Sequence, residues 1–345
     1  MSAKPSTLSR ELEVHRQNLE EHFRKASEFL VKCQIAEPYV EKGTLHGCVC
    51  PWEIGEHTEE GRFPILEDFH DTLESIWVWC LYTKISGKKT FRSNIDWAWK
   101  YIVNNWKRFI GEKESKSLYD CSCVLFSGVF YERTFNNDKY DRLILQAGNR
   151  LDKYLSKLKS TEGREYYDPF WMAYCLNLAA KSLKQKKWLE TSENFVKNTI
   201  VRVERPFSKV GTEPEHKGPG GHDFFSKNAN RALALTSCFG REKVTKDIIA
   251  KNFLPCLPRK FVSRPVDGNA WNAHLATAIG KSYTLTGNKE FLNRFFAIMD
   301  ELKARDVKKS AALPRSPSFS RRESWVTFFY AHAYASVIID FANLM

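Results

Sequence analysis

Apolar positions at Leu8, Leu12, Leu19, Phe23, Ala26 and Leu30 recur with the 3.6-residue period of an amphipathic helix. The stripe begins after Pro5 and Ser6 and stops before Pro38. Residues 36–70 then lose any sustained period and scatter Gly and Pro. They keep Trp52, Ile54, Phe63 and Ile65 for packing, so a long ordered loop is expected there. From Asp71 onward one plan repeats. A helix apolar on all sides is followed by a short polar turn and then by a helix with one charged face. The first pair runs from Asp71 to Tyr82 and returns through Ile95, Trp99, Ile102 and Trp106. The second runs from Asp120 to Tyr131 and returns through Ile144, Ala147, Leu151 and Leu158. The third starts at Asp168 and returns from Trp188. The fourth starts at Asp223 and returns through Val244 and Ile248. The fifth starts near Asp267 and returns through Phe291, Phe295, Ile298 and Leu302. The last stretch, Glu323 to Leu344, has no successor, and the N-terminal helix is the candidate to pair with it.

A helix apolar all round must be shielded on every side, whereas one with a single apolar stripe can face water. Alternating the two types predicts an all-α fold in which six inner helices are ringed by six outer ones. That is an (α/α)6 toroid of helical hairpins spanning residues 1–345 as one domain, with residues 1–35 as the outer closing helix. An open α-solenoid built from the same hairpins is the competing architecture.

Composition narrows the partners. No run of about 18 uncharged apolar residues occurs, so no membrane span is expected. The N-terminus passes into a charged helical pattern without an apolar leader segment, which makes the cytoplasm the expected compartment. Most of the nine cysteines lie within apolar helical patterns and read as buried free thiols. A net charge of +12 attracts anions over long range. Much of that charge falls on outer helix faces, at Lys100, Lys107, Lys153 and Lys157, and a small-molecule or oligosaccharide substrate, with anionic sugars among the candidates, is expected ahead of a nucleic acid.

In a toroid of this kind the inner helices run parallel, so their N-terminal ends share one mouth. Here those ends carry Asp71, Asp120, Asp168, Asp223, Asp267 and Glu323. Aspartate is a preferred helix cap; Asp168-Pro169 has the form of a cap before a first-turn proline, and Asp71-x-x-Glu74 that of a capping box. Several carboxyls in differing environments are also what glycosidic bond cleavage requires, one protonated to donate and one ionised. Asp223 is the first choice of catalytic acid, since it follows Gly218-Pro219-Gly220-Gly221 and has His222 beside it. Asp71 or Asp120 would supply the second carboxylate. Asp168, Asp267, Asn269, Trp271, Asn272, Arg322, Glu323 and Trp325 are the candidate substrate contacts, the tryptophans by stacking. His274 and His332 read as core histidines. Arg264, Arg315, Arg321 and Arg322 precede the fifth and sixth inner helices and would suit an anionic substrate at the mouth. His46-x-Cys48-x-Cys50 lacks the usual Cys-x2-Cys spacing and a second ligand pair, so neither a metal nor any other cofactor is expected. Phosphate-binding loops, dinucleotide fingerprints and nucleophile elbows are missing.

The alternation of helices, with acids and aromatics at the inner N-termini, resembles the six-hairpin glycosidases and the related toroids of polysaccharide lyases and terpenoid cyclases. The resemblance is one of architecture and carries no family motif. It implies an enzyme acting on a carbohydrate by hydrolysis or elimination. The alternatives are an isoprenoid cyclase-like enzyme and a non-enzymatic helical scaffold for an anionic partner.

Overall fold

The computed structural model describes residues 7–36, 45–54, 69–110, 114–158, 168–208, 224–240, 242–263 and 267–340. Among them are thirteen α-helices and no strand beyond isolated bridges. The N-terminal stripe forms α1 (Thr7–Gln17) and α2 (Leu19–Cys33) rather than one helix. The interruption falls at Asn18, whose side-chain amide donates to the Val14 carbonyl and competes with the backbone ladder. The hairpins follow in chain order: α3 (Phe69–Ser86) with α4 (Arg92–Ile110), α5 (Glu114–Phe135) with α6 (Asp141–Leu155), and α7 (Pro169–Leu183) with α8 (Lys186–Val196). Then come α9 (Phe224–Phe239) with α10 (Lys243–Ile248), α11 (Gly268–Thr286) with α12 (Lys289–Arg305), and finally α13 (Ser324–Ala335). Both α8 and α10 continue into single π-helical turns, at Lys197–Val201 and Ile249–Phe253.

The odd-numbered helices from α3 to α13 form the inner ring, each packed on the next, and α13 returns to α3. The even-numbered helices cover them from outside, with α2 lying against both α3 and α13. The ring is therefore closed, and the open solenoid is excluded. Burial follows the periodicity. Helix α7 is buried without interruption from Pro169 to Ala180, while α4 buries only one stripe that includes Ile95, Trp99, Ile102 and Trp106. Trp77, Trp79, Trp99 and Trp188 are all essentially inaccessible to solvent, and each such side chain contributes on the order of 3 kcal/mol of hydrophobic stabilisation. Small polar residues inside the inner helices do not disturb this, because their hydroxyls return to carbonyls one turn back, as in Ser75 to Asp71, Ser122 to Leu118 and Ser282 to Ala278.

Closure is made at two levels. Around Tyr334 of α13, the rings of His15 and His22 stack at 3.8 Å each, and His15 Nε2 lies 2.6 Å from the Tyr334 carbonyl. At the other level a strap, residues 48–52, pairs with the end of α2 through Cys50 N to Cys33 O (2.9 Å) and Ile35 N to Cys48 O (2.8 Å). It then receives the Ser324 amide on the Pro51 carbonyl (2.8 Å) and gives its Val49 amide to Thr72 Oγ1 (2.9 Å). The strap thus ties the N-terminal ends of α3 and α13 together. It is the described part of the expected long loop; residues 37–44 and 55–68 lie outside the described residues. All nine cysteines are buried free thiols.

Candidate active site

The inner helices present their N-termini at one end, and three clusters of polar side chains gather there. The first lies between α3 and α5. Asp71, Glu74 and Asp120 are 1%, 2% and 1% exposed. Tyr119 donates its hydroxyl to Glu74 Oε1 (2.9 Å), and its ring meets the His70 ring edge-on. His70 Nδ1 stands 4.0 Å from Asp120 Oδ1. Cys123 lies on the next turn of α5, its thiol held well above the ordinary range by burial, with Glu74 adding to the effect.

The second cluster spans α7, α9 and α11. Asp168 caps α7 by accepting from the Phe170 amide (2.8 Å), and its other oxygen receives the Asn230 side-chain amide (3.3 Å). The Asn230 carbonyl oxygen lies 2.7 Å from His274 Nε2. These hydrogen bonds set the three helices at a common height. His274 is a core histidine that also carries this polar link.

The third cluster surrounds the start of α13. Glu323 accepts from Trp325 Nε1 (2.6 Å) and pairs with Arg315 Nε (3.4 Å). Its carboxyl is shifted toward the protonated form by burial, against the opposing pull of the Trp325 hydrogen bond, Arg315 and Arg321. Asp267 is shifted the same way by burial and opposed by Arg315. Trp271 and Trp325 face one another with ring centroids 6.0 Å apart. Beneath the clusters, Trp77, Phe126, Trp171, Phe328 and His332 meet across the axis with centroid separations of 5.2–6.5 Å. An aromatic floor therefore closes the ring under a polar mouth.

This geometry separates caps from other acids. Asp168 is a cap, as its Asp-Pro context implies. Asp71 is the third residue of α3, so Asp71 and Glu74 do not form a capping box. Asp120 does not start its helix, because α5 begins at Glu114 and leaves Asp120 in the second turn. Asp267 and Glu323 occupy cap positions but make no side-chain cap bond. Several of the proposed contacts are engaged in the scaffold. Asn272 is tied to both the amide and the carbonyl of Val262 and to Gly268 O. Asn269 donates to Pro314 O. Arg322 is bound to Glu53 (2.6 Å) over the Phe29 ring. Arg315 and Arg321 do lie at the mouth, Arg315 against Glu323 and Arg321 over the ring of Trp52. Asp223, His222 and Arg264 lie outside the described residues. The sequence reading passed over His70, Glu74 as a buried acid, and Arg315 as a partner of Glu323. A helix start placed at Asp71 hid the first, and pairing across loops hid the last. Among the described residues no group of histidine, cysteine and carboxylate side chains could hold a metal ion, and no helix is long and apolar enough to cross a membrane.

The fold is an (α/α)6 toroid of helical hairpins, an architecture that the chain shares with solved structures. No protein-family model matches the sequence, and no curated protein does. Among solved structures the chain is similar to a GH76A α-1,6-mannanase from a Salegentibacter species, at 12% identity and a TM-score of 0.63, covering 95% of this chain and 100% of that one. That structure is an inactive variant with two successive aspartates replaced by asparagine, in complex with α-1,6-mannotriose. An unsaturated glucuronyl hydrolase specific for heparin matches at 13% identity and a TM-score of 0.63, over 93% of this chain and 97% of that one. An α-amylase from Clostridium perfringens matches at 12% identity and a TM-score of 0.53, over 92% and 97%.

Proposed function

We propose that the chain is a carbohydrate-active enzyme that works at the polar mouth, with Asp120 and Asp71 as its acid and base. The observation that carries this reading is the group of buried carboxyls on adjacent turns of α3 and α5, none of which serves as a helix cap. Removing a carboxyl from water costs several kcal/mol when nothing compensates it. A fold that only needed a filled ring would place apolar residues there. His70 beside Asp120, and Tyr119 on Glu74, supply the differing environments that separate a donating acid from an ionised one. This sequence has no two consecutive aspartates; its buried carboxyls at the mouth are spread over α3 and α5. Asp223 stays a candidate third acid, with His222 beside it.

The polar mouth above an aromatic floor favours a sugar over an isoprenoid, which needs a deep apolar chamber to shelter a cation. Trp271 and Trp325 form the stacking wall, and Arg315 and Arg321 offer positive charge to an acidic sugar. The test is turnover of a panel containing α-1,6-linked mannan, unsaturated uronides, α-glucan and arabinofuranosides, read as reducing-sugar release. Activity on one class that Asp120→Asn abolishes while the thermal midpoint holds supports the assignment. Activity on none of them, or undiminished activity in the variant, refutes it.

A further inference from the structure

A recess of mixed apolar and polar lining lies at the opposite end of the ring, where α7, α9 and α11 finish and the chain after α13 crosses beneath them, with Leu178, Phe239, Leu285 and Ile338 among its walls. It is a groove of about 880 Å³. Its walls combine Tyr174 and Lys181 of α7, Thr236 and Ser237 of α9, Lys281 and Thr284 of α11, and Asp340. Tyr174 is 3% exposed, and its hydroxyl takes no hydrogen bond from any described residue although it borders the groove. Lys281 is half-buried and holds its amine in place by donating to the Ile339 carbonyl (2.6 Å). Asp340 lies close enough to act electrostatically on both Lys281 and Tyr174.

We propose that this groove is a second chemical site, in which Lys281 forms a reversible imine with a small polyhydroxylated aldehyde such as an open-chain sugar. An amine, a carboxylate and a phenol converging on one recess are the groups that imine formation uses. The Lys281 nitrogen adds to the carbonyl carbon, and the proton that it sheds passes through Asp340 to the former carbonyl oxygen. The second nitrogen proton follows by the same route, the oxygen leaves as water and the carbon–nitrogen double bond forms, so one aldehyde and one neutral amine become one imine and one water with no change of oxidation state. Tyr174 donates to the carbonyl oxygen, and Thr236, Ser237 and Thr284, whose hydroxyls donate to Leu233 O, Asn177 Oδ1 and Lys281 O, offer their lone pairs to the sugar hydroxyls. Lys181 also borders the groove, but it is exposed and donates to the Ser237 carbonyl, whereas Lys281 is the partly buried amine of the pair.

Burial brings the Lys281 amine down to about 7, with Asp340 pulling the other way. Besides Asp340, the ionisable groups around it are Lys181 and Tyr174 on α7, Cys238 on α9, Glu242 beyond that helix, and His332 on α13. At pH 7 about half of such an amine is unprotonated, against about 0.04% for a lysine near 10.4. The site does not depend on the reading of the mouth.

The experiment exposes the intact protein to glyceraldehyde at pH 7 with cyanoborohydride as a trap and follows labelling by peptide mass mapping. Lys281 is expected to label at least tenfold faster than the exposed Lys100. Tyr174→Phe and Asp340→Asn should each slow Lys281 severalfold and leave Lys100 unchanged. Equal rates at Lys281 and Lys100 overturn the proposal. So does fast labelling that both substitutions leave untouched, because the groove would then contribute no chemistry.

Discussion

Acidification should open the closed ring at α1, and the His15–Tyr334–His22 stack sets the size of the effect. Both imidazoles are 8% exposed. Burial holds His15 down to about 4, against the favourable Tyr334 carbonyl, and holds His22 well below its ordinary value, with His15 adding to the depression. A folded-state value below the unfolded one means that the unfolded chain binds more protons between the two. Stability is then complete above about 6.5 and is lost as pH falls toward 4. For His15 alone, a drop from pH 8 to pH 5 costs about 2 kcal/mol, or a thermal midpoint lower by roughly 3 °C in a chain this long. Glu132 works in the opposite direction. Burial, with Asp141 adding to it, raises its carboxyl to about 8, so its stabilising effect fades as pH rises from 4.5 toward 8. The raw pH curve therefore mixes opposing contributions, and the informative quantity is a difference. His15→Gln keeps a donor for the Tyr334 carbonyl but cannot take up a proton. The assay is differential scanning calorimetry of wild type and variant at pH 8 and pH 5. The wild type should lose about 3 °C more than the variant between the two. Equal losses would mean that the stack is not proton-linked.

Asp120→Asn should lower kcat by about 10²–10⁴-fold on whichever glycan is turned over, with the thermal midpoint kept within a few degrees, as read by initial rates and a melting scan. Gly148→Ala should destabilise by about 1–3 kcal/mol in chemical denaturation, because a Cβ there would stand 2.2 Å from the buried Trp188 ring. Asn272→Ala should cost about 1–3 kcal/mol by leaving the Val262 amide without its partner, and hydrogen exchange should rise at Val262 first.

The hairpin plan was legible because burial on all sides and burial on one side leave different periods in the sequence. Asp168 was legible as a cap because proline follows it. Two things were hidden. Helix α5 starts at Glu114 in a polar stretch, Glu114-Ser-Lys-Ser, that carries no apolar period. The pairings that define the mouth, His70 with Asp120 and Arg315 with Glu323, join residues from separate segments and leave no local pattern. The same holds for Arg322, which its sequence position places at the mouth but which Glu53 holds in the scaffold.

The two ends of the ring differ for a reason that lies in the fold itself. Parallel inner helices align their dipoles, so the mouth gathers the positive ends and first-turn amides of the inner helices, and the opposite end gathers the carbonyls. Carboxyls in the first turns gain from that field without having to cap, and Asp267 and Glu323, which make no side-chain cap bond, lie close enough to act on one another. Burial still pushes Asp267 and Glu323 toward the protonated form. Helix dipoles and desolvation therefore compete at this mouth, and each acid settles according to its cationic neighbours. Glu323 has Arg315 and Arg321, whereas Asp120 has the imidazole of His70 at 4.0 Å. Replacing His70 by Gln should therefore alter the pH profile of turnover more than its maximum, whereas Arg315→Gln should act mainly on Glu323. A His70→Gln profile that overlays the wild type would separate Asp120 from the chemistry and leave Glu323 as the acid to test.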